Sequence, residues 1–258
     1  MMGCVVDLHA HILHGLDDGA ATLADSLAMV RMAAHAGTKE IVAAVHASRA
    51  WPYKPGLAQR RWEELQHLVK DEVRIHRACE VELTPEMADR ALANPARYTV
   101  NGTQYLLAEA PEDARPDQVE ALLRQLLEGG LRPVLAHPEL HPDISRQTGR
   151  LARWVRAGVL LQLGAGSLSG AFGSRAETVA ARLLKRGLAH FVASGGHDLK
   201  GRPPRLDAVR LVLLGHYPPE FVELLLEHNP RAVAEGAEIE PGPLRVPFLQ
   251  AHWLQFWR

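Results

Sequence analysis

The chain of 258 residues is long enough for one large α/β unit, and 47% hydrophobic with 23% charged content is the composition of an ordered globular protein. Lys+Arg 29 against Asp+Glu 30 leaves a formal net charge of -1, which excludes a broad basic face and with it a nucleic-acid partner. Cys4 and Cys79 lack the spacing of a disulfide framework or zinc knuckle, which points to a reducing compartment, and histidine is in excess at 14 residues.

Met1 to Val6 offers neither a basic leader nor a long apolar stretch, and no run of about 18 apolar residues follows anywhere. The expectation is a cytoplasmic protein without membrane insertion. The first predicted strand, Cys4 to His9, leads into His11; period-two alternation places Val5, Asp7, His9 and His11 on one face and Val6, Leu8 and Ala10 on the other. Two imidazoles then lie about 7 Å apart along the strand. Thr22 to Ala36 predicts a helix, with Thr22 and Asp25 as a capping box and Gly37 as its stop. Strand Glu40 to Val45 ends at His46 and is followed by helix Gly56 to Asp71. Strand Val73 to Val81 ends with Glu80 and Glu82, and strand Gln104 to Ala110 carries Glu109. Helix Pro116 to Glu128, strand Leu131 to Ala136 and then His137 come next. Helix Ile144 to Ala157, strand Gly158 to Leu163, helix Ser174 to Arg186 and strand Leu188 to Ala193 complete the series, and His197 and Asp198 follow it.

Repeated βα units with short links imply a parallel sheet, and seven in one chain suit a closed or nearly closed barrel. An open doubly wound sheet is the alternative, but Asp17-Asp18-Gly19 stands where a Gly-rich dinucleotide loop would be. The barrel is expected over residues 1–240. Residues 241–258 form an aromatic tail, with Phe248, Trp253, Phe256 and Trp257, expected to pack on the domain or on a partner subunit of a homo-oligomer. In such a barrel functional groups gather at the C-terminal strand ends. Six of the seven strands end in or lead to His or carboxylate residues, the donor set that borderline cations such as zinc, manganese and iron take.

Asp7 to Gly19, Ala136-His137-Pro138-Glu139, Gln162 to Gly170 and Gly201-Arg202-Pro203-Pro204 together resemble the bacterial capsule-type protein-tyrosine phosphatases of the polymerase and histidinol phosphatase (PHP) superfamily. The resemblance runs from Asp7 to about Pro230. It implies a distorted seven-stranded (β/α)7 TIM-like barrel with up to three divalent ions, Mn, Fe or Zn. It also implies hydrolysis of phosphotyrosine on a bacterial tyrosine kinase that controls exopolysaccharide or capsule export. By position, His9 and His11 would bind one ion and Glu80 would bridge to a second, completed by Glu109 and His137. Asp18, His46 and His197 would hold a third, and Arg202 would contact the phosphate. Water activated by the ions would attack phosphorus in line. No phosphocysteine is needed, and neither cysteine sits in a Cys-x5-Arg loop.

Two positions depart from the family pattern. Gly195 replaces an aspartate ligand in Ser194-Gly195-Gly196-His197, and Leu140 replaces an arginine after His137-Pro138-Glu139. Asp198, Asp7 or Glu82 is the candidate substitute ligand. These departures support an alternative reading, a degenerate barrel that binds metal or a phosphorylated partner without efficient turnover. A small-molecule phosphatase such as histidinol phosphatase is a further alternative. Lys200 and Arg205 could help hold an anion, His14 and His141 stand beside motif residues, and Trp51 and Tyr53 could wall a phosphotyrosine ring.

Overall fold

In the computed structural model, which describes residues 4–247, Thr22 and Asp25 form the expected capping box. The Asp25 amide donates to Thr22 Oγ1 at 3.2 Å and the Thr22 amide donates to Asp25 Oδ2 at 2.9 Å, satisfying two N–H groups that a helix start leaves over. The helix Leu23–His35 that follows joins β1 (Val5–Ala10) to β2 (Thr38–Ala47). Five further strands continue the sheet: β3 (Arg74–Glu82), β4 (Tyr105–Glu109), β5 (Arg132–Ala136), β6 (Leu160–Gly164) and β7 (Phe191–Ala193). All six neighbouring pairs are parallel and the order is sequential. Each link must therefore cross over, and the helices Pro55–Val69, Pro85–Ala93, Pro116–Glu128, Thr148–Arg156 and Gly173–Lys185 lie in the five remaining links. β1 meets the end of β7 through the bridge Ala10 to Gly196, which nearly closes the barrel. The His11 amide donates to the Gly196 carbonyl at 2.7 Å, and the Gly195 amide to the His9 carbonyl at 2.9 Å.

Two apolar layers follow from strand alternation. Val42, Ala44, Ala78, Leu107, Val134, Ala136, Leu160, Phe191 and Ala193 pack together as the barrel interior, joined by Tyr105, Val233 and Ile239. Their alternating neighbours, among them Val81, Leu106, Leu135, Leu161 and Val192, pack outward with helix residues such as Val119, Leu123, Trp154 and Leu183. The Tyr105 hydroxyl donates to Ala237 O at 2.7 Å and accepts from the Ile239 amide at 3.1 Å, which fixes the segment after the last helix.

The structure corrects the sequence reading in several places. Register shifts in β1 between Asp7 and Ala10 break strict alternation, so Leu8 joins the interior cluster although it adjoins His9. The predicted helix Ile144 to Ala157 is a 3-10 turn, Ile144–Arg146, and a separate helix, Thr148–Arg156, divided at Gln147 with its non-helical φ -109 and ψ 56. Unforeseen helices occupy Pro85–Ala93 and Asp207–Leu214, and Pro219–Glu223 continues through a π-helical turn into Asn229–Glu235. Cys79 is buried, whereas Cys4 is half-buried just before β1. Phe248, Trp253, Phe256 and Trp257 lie outside the described residues. Before them Leu244 and Val246 pack against the core, and the Leu244 amide donates to Gly187 O at 2.7 Å.

Candidate metal centre

The interior rows change character as they reach the C-terminal strand ends. Val42 and Ala44 are followed by His46, Ala78 by Glu80, Tyr105 and Leu107 by Glu109, and Leu160 by Gln162. With His9 on β1, His11 just after it, His137 after β5, and His197 after β7, these groups meet in one place. Glu80 is at the middle of it, 1% exposed. Its Oε2 lies 3.1 Å from His9 Nε2, 3.2 Å from His11 Nε2 and 3.4 Å from His46 Nδ1, and its Oε1 lies 3.1 Å from His137 Nε2. Glu109 approaches His46 and His137 at 3.8 Å each. Asp18 Oδ1 approaches His46 Nε2 at 3.3 Å and His197 Nε2 at 3.5 Å. His11 stands between two groups, one with His9 and Glu80, the other with Asp18, His46 and His197.

Three imidazoles are held by their outer nitrogen. His9 Nδ1 is 3.0 Å from Gln162 Oε1, and Gln162 is itself oriented because its Nε2 donates to Leu163 O at 2.9 Å. His11 Nδ1 is 2.9 Å from Asp17 Oδ2, and His197 Nδ1 is 2.8 Å from Gly195 O. Since each partner accepts, each Nδ1 carries the proton and Nε2 is left to bind something else. His9 Nε2 and His11 Nε2 then face each other at 3.0 Å, and His197 Nε2 is buried without a hydrogen-bond partner. With these rings in the neutral, ligating form the lone pairs would be opposed or orphaned, which a protein interior disfavours unless a cation takes them, and donors about 3.0 Å apart suit adjacent positions around an ion bonded at roughly 2.1 Å. The donor set fits divalent cations.

Charges without an ion are equally telling. Burial alone would hold His11 neutral, but Asp17 and Glu80 outweigh it and raise its pKa to about 10. His137 is raised to about 9 in the same way, against burial, chiefly by Glu80. Burial and then the His11 charge lower His197 to about 3. Glu80 is held well below the usual carboxylate range because the imidazoles overcome its burial, while burial and the Glu80 charge push Glu109 up. The cluster therefore keeps protons on some imidazoles as substitutes for cations.

The surrounding cavity, about 270 Å³, is lined in part by His9, His46, Glu80, Glu109, His137, His197 and Arg202. Arg202 is at the rim, with Nη2 3.4 Å from Asp18 Oδ2. Gly195 opens onto the cavity in the left-handed region at φ +58, with nothing within 4 Å of where a Cβ would be. Of the substitutes considered for the missing aspartate, Asp198 turns away: its carboxylate accepts from the amides of Lys200, Gly201 and Arg202 in an exposed turn. Asp7 accepts from the Ser194 hydroxyl and amide, and Glu82 faces the Arg49 amide at 3.5 Å. Arg205 pairs with Asp207. His141 also lines the cavity, but its Nδ1 accepts the Asp143 and Ile144 amides and its Nε2 meets Pro111 O. His14 is buried beside Ser26 and Glu64. Trp51 and Tyr53 do not line the cavity; Tyr53 packs against Tyr98 and the core. The roles of Asp17 and Gln162 were missed; Asp17, inside the first motif, was the more accessible to sequence reasoning.

A parallel barrel whose strand ends and first loop gather five imidazoles and three carboxylates into one cluster defines the class: a barrel scaffold with a candidate polynuclear metal centre. The profile described as "Capsular polysaccharide synthesis, CpsB/CapC" matches residues 5–235, and the chain belongs to this family. It is 32% identical over 228 residues to the tyrosine-protein phosphatase YwqE of Bacillus subtilis (strain 168), covering 87% of this chain and 89% of the relative. To CpsB of Streptococcus agalactiae serotype III (strain NEM316) it is 25% identical over 249 residues, covering 90% and 99%. A solved structure from a study of YwqE and Streptococcus pneumoniae CpsB, titled there as unique metal-dependent tyrosine phosphatases, has a TM-score of 0.83 at 30% identity, covering 93% of this chain and 99% of that one. Histidinol phosphate phosphatase of Lactococcus lactis, at 14% identity and TM-score 0.51 over 73% of this chain and 84% of its own, shares the fold.

Proposed function

We propose that the chain is a metal-dependent protein-tyrosine phosphatase, a phosphoric monoester hydrolase. The observation that carries this is the convergence of His9, His11, His46, His137 and His197 with Glu80, Glu109 and Asp18 in a chain of the CpsB/CapC family. Up to three divalent ions, manganese, iron or zinc, would be held by these residues. When bound they supply Lewis acidity toward the phosphoryl oxygens and lower the pKa of the attacking water. The chain's own residues do the rest. Glu80, with its two oxygens facing opposite imidazoles, is placed to be shared between ions. Asp17, Gln162 and the Gly195 carbonyl keep Nδ1 protonated and Nε2 turned inward. The Arg202 guanidinium at the rim receives the phosphate, and its approach to Asp18 orients it. Neither cysteine serves as nucleophile, since Cys79 is buried with its thiol pKa pushed up and Cys4 precedes β1 far from the cavity lining.

The substrate is a phosphotyrosine protein, a bacterial tyrosine kinase of capsule or exopolysaccharide synthesis, met in the cytoplasm. No helix among the described residues is long and apolar enough to cross a membrane. Hydrolysis of a phosphotyrosine peptide with added Mn²⁺, abolished by chelation and restored by metal, is the expected result; a fully metallated protein without activity overturns it. A second reading is favoured by Gly195 and Leu140: binding of a phosphorylated partner without efficient turnover. It predicts phosphopeptide retention without phosphate release. Histidinol phosphate, tested beside the peptide, separates the small-molecule alternative.

A further inference from the structure

The cavity rim carries two large apolar side chains that folding alone does not explain. Leu140 is 40% exposed and Phe172 is 38% exposed, and both line the cavity that holds the imidazoles. Exposed singly, such side chains are ordinary; here two line the same cavity as the imidazoles and leave apolar surface there for a ligand to cover. They are also held in place. The Phe172 ring rests on the end of β6 and the short helix Ala165–Leu168 after it, where a Cβ on Gly164 would come within 3.7 Å of the ring's Cε2 and one on Gly166 within 2.5 Å. Glycine at 166 is what lets the ring lie there. Leu140 is tied to the same place through its neighbour Glu139, which is 1% exposed. Glu139 Oε1 accepts from the Gly164 amide at 2.8 Å and from the Ser167 hydroxyl at 2.7 Å, so the β5 and β6 loops share one staple. A turn in which the Leu140 amide donates to His137 O at 3.0 Å sets Leu140 directly beyond a candidate ligand.

We propose that Leu140 and Phe172 are the specificity-determining residues of this site, forming an apolar seat for the aryl ring of an aromatic phosphate monoester whose phosphoryl group lies among the imidazoles. The inference rests on the phosphatase reading and adds what selects the ester. An alkyl phosphate has no ring to cover the two side chains, whereas a phenyl group removes water from both. Leu140 brings no charge to the rim, so discrimination depends on ring contact more than on charge.

The test uses the full-length Mn²⁺-loaded protein, with binding of phenylphosphonate and methylphosphonate measured by calorimetry, beside hydrolysis of phosphotyrosine and phosphoserine peptides with identical flanks. Wild type is expected to prefer phenylphosphonate by about tenfold or more, the scale that covering one aromatic ring supports. Phe172→Ala and Leu140→Ala each lower that preference severalfold; Phe172→Leu lowers it less and is the fallback should the alanine variant fail to fold. Equal weakening of both phosphonates, or no wild-type preference, overturns the inference. Hydrolysis of both peptides without preference overturns it while leaving the phosphatase intact. Selective phenylphosphonate binding with no hydrolysis of either peptide overturns the phosphatase reading and supports the seat.

Discussion

Asp17 Oδ2 lies 2.9 Å from His11 Nδ1 and the same oxygen accepts the His46 amide at 2.9 Å, so one carboxylate outside the candidate ligand set orients a histidine from β1 and the backbone of a second on β2. Its other oxygen accepts the Gly19 amide at 3.1 Å, and the His11 contact, outweighing burial, holds its pKa at about 2. Asp17→Asn keeps the size but removes the charge that fixes the His11 tautomer. Manganese affinity is expected to fall about 10- to 100-fold, the usual cost of losing such an orienting partner. Equilibrium dialysis decides it, and unchanged affinity would contradict the role.

Ion binding should release protons. Without ions His11 and His137, with pKa values of about 10 and about 9, are protonated at neutral pH, and a ligand imidazole must be neutral. Both values are raised, so in the ion-free protein their contribution to stability is complete below the unfolded value of about 6.5. It is lost as pH rises through 9 to 10. Loading at pH 7.5 is expected to expel about two protons per chain, with affinity increasing toward alkaline pH. Calorimetry in two buffers of different ionisation enthalpy counts them; no net release is the contrary result.

Gly195→Asp restores a carboxylate in open space. The left-handed φ of +58 disfavours a side chain, but Asp is among the residues that tolerate it best, at a cost of roughly 1 kcal/mol. The ion-free variant should therefore melt about 2–4 °C lower. With Mn²⁺ the deficit should shrink, and bound metal per chain should rise. Equal melting deficits with and without Mn²⁺, with unchanged metal content, would mean that the carboxylate takes no ion.

His190 gives the fold an acid limit separate from the site. Its Nδ1 accepts the Leu161 amide at 3.2 Å and its Nε2 meets Gly242 O at 3.1 Å, an arrangement open only to neutral imidazole. Burial lowers its pKa from 6.5 to about 4. Stability from this group is complete above pH 6.5 and is lost as pH falls through 4, by up to about 3 kcal/mol. His190→Asn should flatten the pH dependence of urea unfolding across that window, although it lowers stability throughout.

The strands were legible because each is a short apolar run, and in several the interior row ends in a polar residue, as in Val42, Ala44 and His46. Strict alternation failed at β1, since register depends on the neighbouring strand and the shift beside Leu8 leaves no mark in β1's own composition. The helical segments after β7 were illegible in part because Pro218, Pro219 and Pro230 interrupt the pattern and a π-helical turn shifts its phase. At the site, strand-end position pointed to seven of the eight candidate ligands, and the eighth, Asp18, stood out through the Asp17-Asp18-Gly19 motif. Gln162 stayed hidden because its support is a long-range relation, 153 residues from the His9 it orients, whereas Asp17 lies only six residues from His11. Trp51 and Tyr53 suggest an aryl wall by their aromaticity and their closeness to His46 in sequence. The loop carries Tyr53 to Tyr98 instead, and the exposed ring on the rim comes from Phe172.

The closure of β1 onto β7 has a consequence for the order in which the molecule can be completed. Ser194 reaches Asp7 across 187 positions of sequence, and beside that seam the His197 ring stacks on His11 with centroids 3.9 Å apart. During synthesis, His9, His11, His46, Glu80, Glu109 and His137 all leave the ribosome before the segment that completes their enclosure. An ion captured early would sit in an open crescent, and one captured after β7 emerges would sit in a closed ring. The segment after β7 therefore completes an enclosure that the earlier candidate ligands alone leave open.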